Sequence, residues 1–404
     1  MNTPLVRMLF TAAAAIGLAG PEALLAQTAT WVENTPASSP LFAHHDMAYD
    51  SLRGRLIVAG RTSIMSPALG IYAGLPDGSW TRLPAPSPAV PGRHDLELAY
   101  DSHRDVVVLY TDATNLVWEL SGTNWSVITA ATRPVQCRDG ALMQYDPARR
   151  RTVLVGTPGP PESSLPVSTS RSETWLWDGT DWAQVADTNS SPRGAAGGGM
   201  AFDAARGEMV LLTMGTMQTW VFDGTKWRQR HPATLPSPGL WVFHLAYDPV
   251  NQLSVFFCGE TTQQPLAYPR NTWAWDGTDW RKLAPLRSPP ATIDYTFAYF
   301  PERNALVLHG GWNDPNWQFR RNVWLLTIQN EIRFTGLQLD ATDISLTSTG
   351  RVQTGARQIL LSSTNLAAPA TWVNTLTNSA PTATNTWLVP RLAGPEFFRI
   401  VEQP

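Results

Sequence analysis

Charge is scarce in this chain. Only 16% of its 404 residues are Asp, Glu, Lys or Arg, and Lys226 and Lys282 are the sole lysines among 30 basic residues. The formal net charge of −3 leaves no basic excess, which argues against nucleic acid or an anionic membrane surface as partner. Cysteine is reduced to Cys137 and Cys258. They fall at different points of different repeats and read as two separate thiols, so stability has to come from packing. Beyond residue 26 no apolar run approaches the ~20 residues of a membrane span. The motifs of common chemistry are missing too: no HExxH, no paired-cysteine site, no two-His-one-carboxylate spacing, no GxSxG elbow and no P-loop. No metal and no cofactor is expected. Tryptophan, in contrast, is abundant at 18 copies, and its placement carries the architecture.

The first 26 residues read as an export signal. Arg7 supplies the positive start, Met8 to Gly20 an apolar Ala-rich stretch, and Leu24-Leu25-Ala26 a cut site with a small last residue. The mature protein is therefore expected to be secreted or extracytoplasmic, in a periplasm or at a cell surface.

One pattern then recurs. A small residue, an aromatic and Asp are followed by a turn, a β-branched run ending in Gly, an aromatic strand, Asp-Gly and Trp. MAFDAARGEMVLLTMG…QTWVFDGTKW and LAYDPVNQLSVFFCG…NTWAWDGTDW are its plainest copies. The first-strand aromatic is Tyr49, Tyr100, Tyr145, Phe202, Tyr247 and Tyr299; the third-strand aromatic is Tyr72, Trp118, Trp175, Trp220, Trp273 and Trp324. Only the first five copies continue to a fourth-strand tryptophan: Trp80, Trp125, Trp182, Trp227 and Trp280. The sixth copy, NVWLLTIQN, has none, and the missing one stands at the other end of the chain as Trp31. With Trp31 included, successive spacings are 49, 45, 57, 45 and 53 residues, close to the ~50 of a four-stranded propeller blade. A lone four-stranded sheet cannot bury both faces, so such units stack around an axis. The expected fold is all-β, a six-bladed propeller over residues 27–330 closed by the N-terminal strand, which pairs an otherwise open edge.

The AYDxxRxxxVLxG…TWxWDGTxW pattern resembles the kelch-like repeats of secreted bacterial proteins and, more loosely, the propeller of galactose oxidase. Only Gly310-Gly311 keeps the kelch double glycine; Gly60, Gly156, Gly215 and Gly259 keep one, and Tyr110 replaces it. Neither cysteine has the context of the radical-copper site of galactose oxidase. From Glu331 onward six strand-like segments follow at closer intervals. ILLSSTNL, a downstream Thr-Trp and a terminal EFFRI resemble a fibronectin-III-like module. The resemblance implies a small β-sandwich over 331–404 that acts as a spacer or surface tether.

Function is expected to reside where the blades differ. Segments before the first strands carry His44, His45 and Asp46; Arg93, His94 and Asp95; Arg138 and Asp139; Trp241 and His244; and Asp294. If they lead into the inner strands, their polar groups meet at one mouth of the central channel. Long inserts between second and third strands share that face, and Trp312 and Trp317 lie outside the repeated positions, as platforms for sugar or peptide. Two readings follow. The favoured one is a secreted, non-enzymatic binding protein for a protein or glycan ligand, with His44, His45, Trp241, Asp294, Trp312 and Trp317 as candidate contacts. The other is an extracytoplasmic carbohydrate-active enzyme, an epimerase or lyase, using His94, Asp95, Arg138 and Asp139 for acid–base chemistry.

Overall fold

The computed structural model describes residues 27–61, 69–91, 96–111, 113–134, 137–158, 171–236, 240–241, 243–257, 260–261, 269–313, 318–330, 333–339, 343–349, 357–363, 373–379, 381, 384–390 and 397–403. For His44, Arg138, Asp139 and Trp241 it describes the backbone alone. Contacts divide the chain into a large unit, Ala29–Thr327, and a smaller one that includes Ile328–Pro404.

The large unit is a six-bladed β-propeller, each blade a four-stranded sheet. Blade 1 consists of Ala43–Asp50, Arg55–Arg61, Leu69–Gly74 and Trp80–Arg82; blade 2 of Glu97–Asp101, Val106–Tyr110, Leu116–Ser121 and Asn124–Thr129. Blade 3 takes Cys137–Asp146, Arg151–Pro158, Glu173–Trp177 and Trp182–Ala186, and blade 4 takes Gly199–Asp203, Glu208–Leu212, Thr219–Phe222 and Trp227–Arg230. Blade 5 is Leu245–Asp248, Leu253–Phe257, Thr272–Trp275 and Trp280–Leu283. Blade 6 has Thr296–Phe300, Ala305–His309 and Val323–Asn330 from one end of the chain, and its fourth strand, Gln27–Glu33, from the other. Trp31 thus completes the last blade. The apolar clusters lie between blades: Ile57, Ala59 and Ile71 of blade 1 pack on Leu109, Trp118 and Leu120 of blade 2, and blades 2–3 and 3–4 repeat the arrangement.

The repeated residues form the joints of this ring. The indole N–H of Trp227 donates to Thr174 Oγ1 of the preceding blade at 2.8 Å, that of Trp280 to Thr219 Oγ1 at 2.8 Å, and that of Trp31 to Thr272 Oγ1 at 3.0 Å. Each Thr-Trp dipeptide therefore supplies the acceptor for the next blade's tryptophan, and the borrowed strand obeys the same rule as the others. In the hairpins, Asp178, Asp223 and Asp276 accept from the backbone N–H and hydroxyl of the Thr two residues on. The following glycines turn at φ +103°, +90° and +97°.

Over these glycines lies a second joint. The arginine after the first strand binds its own blade's Asp (Arg104–Asp101 2.7 Å, Arg149–Asp146 2.8 Å, Arg206–Asp203 2.6 Å) and covers the hairpin glycine of the next blade. The pairs are Arg53/Gly122, Arg104/Gly179, Arg149/Gly224, Arg206/Gly277 and, from blade 6 to blade 1, Arg303/Gly78. Blade 5 breaks the series with Asn251, which donates to Asp248 at 2.8 Å. Its neighbour, blade 6, has no hairpin to cover, because its fourth strand comes from the N-terminus. We expect Gly224→Ala to cost about 2–3 kcal/mol, combining left-handed backbone strain with displacement of Arg149. Gly207→Ala, at φ +66° with nothing within 4 Å of the added methyl, is expected to cost about 1 kcal/mol. Urea denaturation of both variants checks the difference; equal losses remove the covering role of Arg149.

In the smaller unit, Arg333–Leu339, Asp343–Thr349 and Thr384–Pro390 form one antiparallel sheet, and Arg357–Ser363, Val373–Asn378 and Phe397–Gln403 another. Leu360 of the second sheet shares an apolar cluster with Ile344, Leu346, Trp387 and Val389 of the first. No helix among the described residues is long and apolar enough to cross a membrane.

Candidate functional site

All six blades line one cavity of about 470 Å³. His45 and Asp46 come from blade 1, Leu96 and Glu97 from blade 2, and Gly140, Ala141 and Leu142 from blade 3. Gly197 and Gly198 lead into blade 4, Phe243 and His244 into blade 5, and Asp294 into blade 6. The six segments lie at or just before the starts of the first strands. The lead-in polar groups whose side chains are described therefore do converge: His45, Asp46, His244 and Asp294 share this cavity.

Not every lining group is available to a ligand. Asp46 is buried and works as a joint between inner strands. Its Oδ1 accepts from Met47 N–H at 2.7 Å, its Oδ2 from Leu98 N–H of blade 2 at 2.8 Å, and Thr296 of blade 6 lies 3.4 Å from Oδ1. Burial outweighs these bonds and pushes its pKa up to about 6. His45 is 4% exposed and His309 0%, and their rings meet with Nε2 of His45 3.1 Å from Nδ1 of His309. The same Nε2 lies 3.0 Å from the His309 carbonyl oxygen. A carbonyl only accepts, so His45 carries its proton on Nε2 and His309 presents a lone pair at Nδ1. His309 Nε2 is then the protonated nitrogen and donates toward Ser39 Oγ at 3.3 Å, whose hydroxyl donates to the Arg321 carbonyl at 2.7 Å. This one-way chain runs from the axial cavity to the connection that follows the N-terminal strand. His244 is half-buried on the cavity wall beside Tyr295, and its enclosure pulls its pKa down to about 4, so it stays neutral.

Of the other expected site residues, Trp312 is half-buried and outside the cavity lining. Its backbone exchanges hydrogen bonds with Ile293 (2.9 and 3.0 Å), and Trp312–Asn313 pairs with Gln318–Phe319 in a small ribbon. Leu240–Trp241 pairs likewise with Glu260–Thr261 from the blade 5 insert. Arg93, His94, Asp95, Trp317 and Cys258 lie outside the described residues, and the side chains of His44, Cys137, Arg138, Asp139 and Trp241 are also outside them. Glu97, Phe243 and His309 were not singled out by sequence. Glu97 was detectable as the charged residue directly following the Asp95-Leu96 lead-in. Nothing in the repeat marks His309, the last residue of an otherwise apolar second strand.

Among the described residues no cluster of three or more His, Cys, Asp or Glu has the geometry to hold a metal ion. A smaller cavity of about 290 Å³ lies in the seam between blades 6 and 1, lined by Leu56, Trp80, Phe300 and Val307, with Arg303 at its edge. It is a packing gap: blade 1 has Gly74 where other blades carry Leu120, Trp177, Phe222 and Trp275.

No protein-family profile and no curated protein matches the chain. Solved structures do. The structure of YjhT aligns at 14% identity and a TM-score of 0.53, over 73% of this chain and 99% of that one. The gluconolactonase XC5397 of Xanthomonas campestris aligns at 11% identity and 0.47, over 72% and 87%. A DUF4221 family member from Bacteroides vulgatus gives 10% and 0.47, over 76% and 97%. At such identities the likeness establishes the fold: this chain contains a six-bladed β-propeller.

Proposed function

We propose that this is an exported, kelch-type binding protein that takes the hydroxyl-rich end of a glycan in its axial cavity. In this reading residues 1–26 direct export, and residues 331–404 form a fibronectin-III-like β-sandwich that serves as a spacer. One observation carries the proposal: six blades of near-identical framework contribute a different residue set each to a single cavity. Rigid walls with variable polar groups suit selective recognition of a small polar ligand. Trp312, on its own ribbon, serves longer glycans as a rim platform.

The experiment is a glycan array with the full chain, comparing wild type with His244→Phe, Glu97→Gln and Trp312→Ala. Binding that falls at least tenfold in the two cavity variants, with Trp312→Ala weakening only extended glycans, supports the reading. Binding indifferent to both cavity variants sinks it. The enzymatic alternative retains one specific support: His94 and Asp95 directly precede the lining residue Leu96, and Arg138 and Asp139 directly precede Gly140. NMR of a bound sugar over hours separates the two readings, since an epimerase or lyase gives new anomeric or olefinic signals and a binder gives none.

A further inference from the structure

Aligned on the small–aromatic–Asp ends of the first strands, one lead-in position is occupied by His44, Asp95, Gly140, Gly197, Val242 and Asp294. Blade 3 turns there at φ +93°, blade 4 at +74° and blade 6 at +53°. For blade 3 the reason is steric: a methyl on Gly140 would lie 2.5 Å from the Gly197 nitrogen, and Gly197 N–H donates to Gly140 O at 3.1 Å. Blade 6 makes the same left-handed turn with a residue that pays for it in backbone strain. Four other non-glycine residues in this region, Asp105, Arg150, Gln252 and Asn304, occupy the repeated turn after the first strand, where Gly54 and Gly207 stand in blades 1 and 4. Met217 is buried within blade 4. Asp294 is the one among the described residues that lines the axial cavity.

Its surroundings say what the carboxylate is for. The double hydrogen bond between Ile293 and Trp312 and the burial of Tyr295 fix the chain on either side. Asp46 and His45 are committed to the inner strands and to His309, so the chemistry facing a ligand falls to Asp294, Glu97 and His244. A carboxylate accepts two O–H bonds, a neutral imidazole gives one donor and one acceptor, and Leu96, Leu142 and Phe243 supply apolar wall. That combination matches a sugar ring, with adjacent hydroxyls on its edge and C–H groups on its face.

Resting on the axial-site reading above, we propose that Asp294 is the specificity-determining residue of the cavity. It accepts hydrogen bonds from adjacent hydroxyls of a neutral pyranose, and its strained backbone is retained for that contact. The test uses the full chain, wild type, Asp294→Gly and Asp294→Asn, with the methyl glycosides of glucose, galactose and mannose as probes in titration calorimetry. Thermal unfolding is measured in parallel. Glycine relieves the strain, so Asp294→Gly is expected to raise Tm by about 1–3 °C while weakening the bound glycoside at least about tenfold. Asparagine tolerates the left-handed region, so Asp294→Asn is expected to hold Tm and lose affinity. A lowered Tm in Asp294→Gly overturns the proposal by making Asp294 structural. Affinity within about twofold of wild type in both variants overturns it as well. So does a wild type that binds none of the glycosides; the array with His244→Phe and Glu97→Gln then still decides the axial site by itself.

Discussion

Removing Gln27–Glu33 is expected to leave no cooperatively folded propeller, and Trp31→Ala alone to cost about 3–5 kcal/mol. Trp31 is 1% exposed and packs on Phe257 of blade 5 and Phe297 of blade 6, with ring centroids 5.3 and 6.1 Å apart, besides donating to Thr272. Losing the strand also bares the hydrogen-bonding edge of Val323–Asn330, so the truncated chain should associate as its concentration rises. Trp31→Phe keeps most of the apolar area and forfeits the indole bond, for a smaller loss of about 1–2 kcal/mol. Trp227→Phe, which loses the equivalent bond to Thr174, should match it. Urea denaturation followed by near-UV circular dichroism measures all of these. A Trp31→Ala variant within 1 kcal/mol of wild type would mean that the ring closes by other contacts.

That joint was legible in the sequence because it repeats. Six third-strand aromatics against five following tryptophans required a sixth from elsewhere, and Trp31 lies on the strand that completes blade 6. The Asp-Gly hairpins were legible for a local reason, since only a few residue types accept the turn they make. The arginine over the next blade's glycine was not, although Arg53, Arg104, Arg149 and Arg206 stand in the repeat. A contact between successive blades spans roughly one repeat length and leaves no local signature. The cavity is the opposite case. Its lead-in segments could be listed, but the residues that matter are those that do not recur, and a repeat alignment reports what blades share. His309 looked like the end of a buried strand, and its partnership with His45 exists only after the ring has closed.

Acid should act on this closure through His309. Burial pulls its pKa down from 6.5 to about 4, so between those values the unfolded chain binds a proton that the folded chain refuses. Stability therefore falls as pH drops from 6.5 toward 4, by roughly 3 kcal/mol for a shift of this size. Asp46 opposes it. Its folded pKa of about 6 lies above 3.8, so its contribution to stability grows as pH falls across nearly the same window. His244, half-exposed to the cavity, adds a water-screened share to the loss. The opposed groups make the wild-type profile shallow, and variants separate them. His309→Gln keeps one donor and one acceptor at the seam; it should cost about 1–2 kcal/mol at pH 7.5 and nothing, or less than nothing, at pH 4. Asp46→Asn should steepen the acid loss. The physical event is local: a protonated His309 turns an N–H at Nδ1 against the Nε2–H of His45, and no carboxylate bonds to it among the described residues. Hydrogen exchange at Gln27–Asn34 should accordingly speed up below pH 5 in wild type and not in His309→Gln. An unchanged exchange pattern, or a His309→Gln deficit that is the same at pH 7.5 and pH 4, would detach the imidazole pair from ring closure and leave Trp31 and its threonine as the principal lock.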